Sequence, residues 1–310
     1  MIKEDVINRL SSVIPSDRIL RNEMLSKHTT FKVGGPAAIY LSVAGKQELI
    51  DTLRILTSEN VPFYILGNGS NILASDEGYE GVIIEIGSKW SDISIVDDNE
   101  DTSLVKADAG VLLGALSSFA YRNSLGGLEF ASGIPGTVGG AMVMNAGAYD
   151  GEMKDVVESV RALNLDDMCV HEYTNEMMHF AYRHSIVKEE RLIVLDVTFK
   201  LAKTSPDMIS AKMDDFALRR RTKQPLEYPS AGSTFKRPEG FFAGKLIEES
   251  NLRGYCVGGA QVSEKHCGFV INKGNATATD IYRLIKEVQE QVYSDSGVRL
   301  EPEVIMLGEF

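Results

Sequence analysis

The distribution of glycine constrains this chain most. Glycine gathers in two places: the short run Gly67-Asn-Gly-Ser-Asn71, and the stretch 126–151, which holds Gly133-Ile-Pro-Gly-Thr-Val-Gly-Gly140 and Asn145-Ala-Gly-Ala-Tyr149. There are 28 glycines in 310 residues, about 9% against a usual roughly 7%, with no collagen period. Each therefore needs a local reason, either a turn or a backbone that a ligand approaches closely. The first run follows an apolar strand candidate at 61–66. Its glycines let successive N–H groups point at one anion, and Ser70 and Asn71 add side-chain donors, a nest suited to a diphosphate. A plain tight turn explains the same residues. The second stretch is too long and too apolar for a turn. A backbone stripped of side chains lets a flat or extended ligand lie on it, or lets a helix pack close to a sheet. A dinucleotide has two ends with a diphosphate between them, so the two stretches together say more than either alone.

Around these stretches short strands mix with helices. The first 25 residues read as a short amphipathic helix and a loop, followed by a glycine turn at 32–36 and an apolar run at 37–43. Residues 46–59 carry Leu49, Ile50, Leu53 and Leu56 on one helical face. Strands are expected at 81–86, 103–107, 156–165 and 192–201, and helices at 110–121, 208–221 and 279–292. The last has an apolar stripe of Ile281, Leu284, Ile285, Val288 and Val292, with Gly297 soon after it. Strict βαβ alternation is missing, which favours an α+β fold over a doubly wound sheet. The glycine-rich half ends near residue 200, a plausible domain boundary.

The net charge of −12 opposes binding to nucleic acid or an anionic membrane surface. No apolar run is long enough to span a membrane, and the charged start lacks a signal-peptide core, so a cytoplasmic protein is expected. Cys169, Cys256 and Cys267 form no C-x-x-C pair and read as reduced thiols, and five scattered histidines suggest no metal centre. G-x-G-x-x-G fails because Ile72 stands where the third glycine belongs, and no G-x-S-x-G elbow is present. An anionic ligand would have to be drawn in by a local basic cluster. Arg219, Arg220, Arg221, Lys223, Lys236, Arg237 and Lys245 form the best candidate, although cations at 219–221 also suit a helix C-terminus. Spacing alone does not assemble Arg183, Ser233 and Glu303, each an ordinary surface or turn residue in isolation, into a site.

Several segments in order nevertheless form a recognisable series. They are Thr30-Phe-Lys-Val-Gly-Gly-Pro36, Leu66-Gly-Asn-Gly-Ser-Asn-Ile-Leu73, the two glycine motifs of the second stretch, Tyr182-Arg-His-Ser185, Lys223-Gln-Pro225, Ala231-Gly-Ser-Thr-Phe235, Ala243-Gly-Lys-Leu-Ile-Glu248 and Glu301-Pro-Glu303. In these the chain resembles the UDP-N-acetylenolpyruvoylglucosamine reductase (UDP-N-acetylmuramate dehydrogenase) family of peptidoglycan synthesis, in its shorter subtype. The resemblance implies an FAD-binding fold of the vanillyl-alcohol-oxidase (PCMH) type over 1–200, in two α+β subdomains. It further implies a smaller α+β substrate-binding domain over 201–300, and a segment 301–310 that returns to the active site. Gly67, Asn68, Gly69, Ser70 and Asn71 would hold the FAD diphosphate. Gly133, Ile134, Gly136, Thr137, Gly139, Gly140, Asn145, Gly147 and Ala148 would run beneath the flavin. No His or Cys lies in 67–71 or 133–149, so the FAD is expected to be noncovalent. NADPH would reduce the flavin and leave. Hydride would then pass to the methylene carbon of the enolpyruvyl ether, with protonation of the neighbouring carbon. Arg183 matches the family arginine that faces the substrate carboxylate, where a guanidinium acts on developing charge. Glu303 matches the glutamate beside it, and Ser233 the proton donor. Tyr182, Arg220 and Lys223 match positions that hold the nucleotide diphosphate or carboxylate, and His266 lies on the substrate side. Two departures stand out. Arg237 occupies a place where many members have asparagine, and the inserted segment and tyrosine loop that cover the substrate in the longer subtype are missing.

Overall fold

The computed structural model describes residues 2–149 and 151–310. Helix Glu4–Ser11 turns Val6, Ile7 and Leu10 inward against helix Lys46–Ser58, whose Leu49, Leu53 and Leu56 are fully buried. Both helices cover a four-stranded sheet ordered Ile19–Met24, Pro36–Ser42, Tyr79–Glu85, Phe63–Leu66. Its first pair is antiparallel and the other two pairs are parallel. A second sheet is antiparallel and runs Val170–Thr174, Val157–Asn164, Leu192–Lys203, Thr102–Asp108, Ile93–Asp98, with Leu125–Gly126 added on the long central strand. One apolar core joins the two sheets, from Ile39 and Val82 on the first to Val105, Val197 and Phe199 on the second.

A second core begins at Ala231. Helix Ala278–Ser296 presents Ile281, Leu284, Ile285, Val288 and Val292 to it, all fully buried, as the apolar stripe predicts. Thr277 and Asp280 close a capping box at its start, and Gly297, at φ +71°, ends it. Phe31, Val33 and Leu73 of the first half enter this same core. The halves are also joined by polar contacts. The Asp76 carboxylate accepts from the N–H groups of Ala278 and Thr279 (both 2.8 Å) and from the Thr279 hydroxyl (2.7 Å). The final strand Ile305–Leu307 returns to pair in parallel with Ile72–Ala74, directly after the first glycine run. Helix Pro206–Lys223 lies between the two cores in sequence but packs on the turn Glu129–Gly133 and on helix Leu113–Arg122 of the first half.

Several short strands, among them Ile72–Ala74, Ala260–Val262 and Ile305–Leu307, are absent from the sequence reading, and so are three longer ones in the two large sheets. Ile19–Met24 is a strand where a loop is expected, and Ile93–Asp98 and Val170–Thr174 have no counterpart among the expected elements. All three are sheet edges and are mostly solvent-facing, so the alternation that marks a half-buried strand never develops. The second glycine stretch also contains a helix, Val138–Met144. Thr137 caps it by accepting from Gly140 N–H (3.3 Å). Among the described residues no helix is long and apolar enough to cross a membrane, and no group of His, Cys, Asp or Glu is arranged to hold a metal.

Candidate active site

Arg183 sits in a two-residue turn closed by a bridge between Ala181 and His184, in a left-handed conformation (φ +55°). Such a conformation in a non-glycine residue is held by its surroundings. Asn145 supplies part of that support. Its Nδ2 donates to Ala181 O (3.2 Å) and to Glu152 Oε2 (2.8 Å), while its Oδ1 accepts from Lys154 N–H (3.0 Å). The Asn145 side chain is thus fully buried, with its amide bonded within the fold at both Nδ2 and Oδ1. From this turn Arg183 Nε reaches to 2.7 Å from Glu303 Oε1, and its guanidinium stands 5.2 Å from the Tyr182 ring centre. The contact is an ion pair rather than a hydrogen bond, because the buried Nε finds no acceptor in hydrogen-bond geometry.

Glu303 lies in irregular chain just before the last strand. Its N–H donates to Thr234 O (2.8 Å), and its carbonyl accepts from Asn71 Nδ2 (3.0 Å). Burial pushes its carboxyl above the ordinary value, against the opposing pull of Arg183. Ser233 is exposed on a loop pinned by Thr234, whose N–H donates to Gly268 O (2.9 Å) and whose hydroxyl accepts from Val270 N–H (2.9 Å). His266 is lowered from its usual value by burial, with the charges of Arg253 and Lys223 adding to this. Its Nδ1 accepts from Gly268 N–H (3.1 Å), so the neutral ring carries its proton on Nε2.

Tyr182, Arg183, Ser233, His266 and Glu303 all line one cavity of about 380 Å³, within the range of small-molecule sites. Its walls hold five cations, Arg183, Arg237, Lys245, Arg253 and Lys265, against two carboxylates, Glu248 and Glu303. In a chain of net charge −12 this is a local basin for an anion. Arg237 N–H donates to the Tyr182 hydroxyl (3.0 Å), and the Arg237 guanidinium lies 4.1 Å from the Phe242 ring centre. Arg253 and Lys265 have no sequence signal. They come from separate loops that only the small sheet Cys256–Val257, Ala260–Val262, Val270–Asn272 brings together.

The basic cluster read from the sequence splits. Arg220 does not line the cavity. It is buried against the second glycine stretch, donating to Phe130 O (2.8 Å) and lying 4.9 Å from the Tyr149 ring centre, and burial lowers its pKa. Lys223 also lies outside the cavity lining and approaches it only through its charge on His266. Arg219 pairs with Asp215 (2.7 Å) and Lys236 with Glu301 (3.2 Å), both at the surface.

The two glycine stretches meet. Asn68 Nδ2 donates to Pro135 O (2.8 Å), and a Cβ on Gly67 would fall 2.5 Å from the Thr137 hydroxyl. A Cβ on Gly69 would fall 2.0 Å from His28 O, and one on Gly133 2.4 Å from Arg220 Nη1. One on Gly139 would sit 3.0 Å from Ala109 Cβ, and one on Gly147 2.8 Å from Glu152 Cβ. At Gly67, Gly69, Gly133 and Gly147 the space is already taken by other parts of the chain, and at Gly139 Ala109 would have to give by a few tenths of an ångström. Gly136 and Gly140 are different: the nearest atoms to an added Cβ are Ser70 Oγ at 3.7 Å and Thr137 Oγ1 at 3.5 Å. Among the described residues the N–H groups of Asn68, Gly69 and Ser70 have no acceptor. Free N–H donors on one loop and an unobstructed glycine backbone opposite fit an FAD diphosphate and an adjoining flat ring system. Asn71 joins this region to Glu303, so the cofactor loops and the cavity are neighbours.

The comparisons with known proteins agree with this arrangement. Residues 37–171 match the FAD-binding domain family, and residues 224–307 match the C-terminal domain family of UDP-N-acetylenolpyruvoylglucosamine reductase. The chain is 46% identical to UDP-N-acetylenolpyruvoylglucosamine reductase of Agathobacter rectalis and 47% identical to that of Clostridioides difficile, each covering all of both chains. The crystal structure of UDP-N-acetylenolpyruvylglucosamine reductase from Thermus caldophilus superimposes with a TM-score of 0.80 at 35% identity, covering 94% of this chain and 99% of that one. The fold is α+β, with an FAD-binding region of the vanillyl-alcohol-oxidase type and a smaller C-terminal α+β domain. On sequence, fold and the joining of its glycine loops to a cation-lined cavity, the chain belongs to the UDP-N-acetylenolpyruvoylglucosamine reductase family.

Proposed function

We propose that Arg183, Ser233 and Glu303 form the catalytic set for NADPH-dependent reduction of the enolpyruvyl group of UDP-N-acetylglucosamine enolpyruvate. The product is UDP-N-acetylmuramate, a precursor of peptidoglycan. The observation that carries this reading is the Arg183–Glu303 pair at 2.7 Å, which shares one cavity with Ser233 beside the cofactor loops. Adding hydride to the substrate's methylene carbon moves negative charge onto its carboxylate. Arg183, fixed by its turn and by Glu303, meets that charge where it develops, which is where electrostatic stabilisation lowers a barrier. Ser233 delivers the proton to the neighbouring carbon. A serine hydroxyl is a weak acid, and the surrounding cations ease its deprotonation. Glu303, its carboxyl raised above the ordinary value by burial, holds Arg183 in place.

Residues 67–71, together with Gly133, Ile134, Gly136, Thr137, Gly139, Gly140, Gly147 and Ala148, would hold FAD noncovalently. When bound, FAD supplies the redox relay between NADPH and the enolpyruvyl group. Tyr182 and His266 border the nucleotide-sugar, and Arg237, Lys245, Arg253 and Lys265 draw in its diphosphate. Arg220, under the glycine stretch, acts on that stretch rather than on the substrate. A cytoplasmic enzyme without a nucleic-acid partner suits the acidic net charge and a nucleotide-sugar substrate.

For the domains we propose an FAD-binding region over 1–200, a substrate-binding domain over 201–300 and a returning segment over 301–310. The large core running to Leu201, the second core starting at Ala231 and the pairing of Ile305–Leu307 with Ile72–Ala74 support this division. Within the 201–300 segment, the helix Pro206–Lys223 packs back on the first region and ties the two together.

The test is anaerobic reduction of the purified holoprotein by NADPH, followed by addition of the enolpyruvyl sugar nucleotide. Rapid return of the oxidised flavin band with formation of UDP-N-acetylmuramate is expected. Reduction without reoxidation would reject the substrate.

A further inference from the structure

We infer that Asn71 is a positioning residue for Glu303: it sits on the cofactor loop, but its side chain sets the place of a carboxylate in the neighbouring cavity. Glu303 has no secondary structure of its own. Between the end of helix Ala278–Ser296 and the strand Ile305–Leu307 the chain is irregular, with an isolated bridge between Phe235 and Pro302 and with Leu300 and Val304 buried in the second core. Its peptide is held from two sides. On one, Thr234 O accepts the Glu303 N–H at 2.8 Å, from the residue next to Ser233. On the other, Asn71 Nδ2 donates to the Glu303 carbonyl at 3.0 Å, across 232 residues of sequence.

These two bonds set where the Glu303 side chain leaves the backbone, and that fixes the 2.7 Å contact with Arg183. Asn71 also makes a separate backbone bond, with its carbonyl accepting from Ile305 N–H at 3.0 Å. A change of the Asn71 side chain therefore leaves the strand pairing in place and removes only the grip on Glu303. The amide is the suitable group. Its NH2 donates across to a carbonyl, whereas an aspartate there would turn an acceptor toward an acceptor. Asn71 thus joins the loop proposed for the diphosphate to the group proposed to hold Arg183, and gives the two sites a shared, fixed geometry.

This inference rests on the roles proposed for Arg183 and Glu303, and the experiment separates the two. Asn71→Ala, Glu303→Gln and the double variant are prepared as holoenzymes. Three quantities are measured: the rate of flavin reduction by NADPH, the rate of flavin reoxidation by the enolpyruvyl sugar nucleotide, and the FAD dissociation constant by fluorescence titration. Asn71→Ala is expected to slow reoxidation by about ten- to a hundredfold, the scale of a small misplacement of a catalytic group. In enzyme saturated with FAD, reduction by NADPH should fall less than reoxidation, because the Asn71 side chain is engaged by the Glu303 carbonyl. In the Glu303→Gln background the same substitution should slow reoxidation no further, because residues acting as one unit are non-additive. A full additional loss in the double variant, or equal slowing of both steps, would overturn the inference. If Glu303→Gln alone reoxidises at the wild-type rate, the catalytic assignment falls first and the inference with it. Should Asn71→Ala not fold, the uncharged Asn71→Ser answers the same question: in FAD-saturated enzyme, reoxidation slowed more than reduction supports the inference, and equal slowing of both steps overturns it.

Discussion

Gly136 and Gly139 lie three residues apart in one glycine stretch, yet the structure gives them opposite reasons for being glycine. A Cβ on Gly139 would stand 3.0 Å from Ala109 Cβ and 3.3 Å from Ala109 O, and the Gly139 N–H is already bonded to that oxygen at 2.8 Å. The backbone cannot back away, so Gly139→Ala overpacks the interface at a cost of about 1–3 kcal/mol. At roughly 2.1 cal/mol/K per residue, a chain of 310 residues loses about 0.65 kcal/mol per degree near its midpoint, so the flavin-free protein should melt ~2–5 °C lower. An added Cβ on Gly136 has nothing closer than Ser70 Oγ at 3.7 Å, and its φ lies outside the left-handed region. Gly136→Ala should therefore raise the flavin-free midpoint by ~1 °C, through about 0.4–1 kcal/mol of lost unfolded-state freedom. If a ligand backs onto this residue, the methyl group meets it instead. A similar overpacking of about 1–3 kcal/mol weakens FAD binding by roughly 5- to 150-fold. Differential scanning fluorimetry of the flavin-free chain and fluorescence titration with FAD give both readings on the same samples. Wild-type FAD affinity in Gly136→Ala, or a lowered melting point without flavin, would refute the reading that this backbone is kept bare for the cofactor.

Three further outcomes follow from the geometry. Ser233→Ala should lower kcat by more than about a hundredfold, the lower end of what a general acid contributes, while NADPH still reduces the flavin; full steady-state turnover would remove Ser233 from the proposed role. Asp76→Ala strips three hydrogen bonds from the start of helix Ala278–Ser296 and from the joint between the halves. This should cost about 2 kcal/mol, the upper end for a helix cap, and lower the melting midpoint by ~3 °C, so an unchanged midpoint would count against the joint. Burial holds Glu303 above its ordinary 4.5 in the folded chain, so its protonated form fits the fold better. Its contribution to stability is full below the unfolded value and declines as pH rises through the raised folded value. The melting temperature of Glu303→Gln minus that of the wild type should therefore climb across that window and then level off. A flat or falling difference would show that the Arg183 contact outweighs burial.

What the sequence determined by itself was whatever is repeated locally. The stripe Ile281, Leu284, Ile285, Val288, Val292 and the face Leu49, Leu53, Leu56 announce helices because each buries one side every turn, and the structure buries them fully. The α+β class and the inner strands Tyr79–Glu85, Thr102–Asp108, Val157–Asn164 and Leu192–Lys203 of the two large sheets were legible for the same reason, whereas Ala260–Val262, inner in the small sheet but only three residues long, was not. The strands Ile19–Met24, Ile93–Asp98 and Val170–Thr174 were not, since an edge facing water leaves no alternation to read. The ordered motifs pointed to the family, but a motif carries no distances. Only the tertiary structure decided that Arg183, Ser233, His266 and Glu303 share a cavity, because they come from a strained turn, two loops and a returning C-terminal segment. It also decided that Arg220 belongs beneath the second glycine stretch while Arg253 and Lys265 belong to the cavity. Neighbours in sequence share a helix face or a turn, whereas the position of a charge relative to a distant carboxylate is set by how the sheets and cores pack. For the same reason, most of the glycines that look reserved for a ligand turn out to lie where one part of the chain closely approaches another.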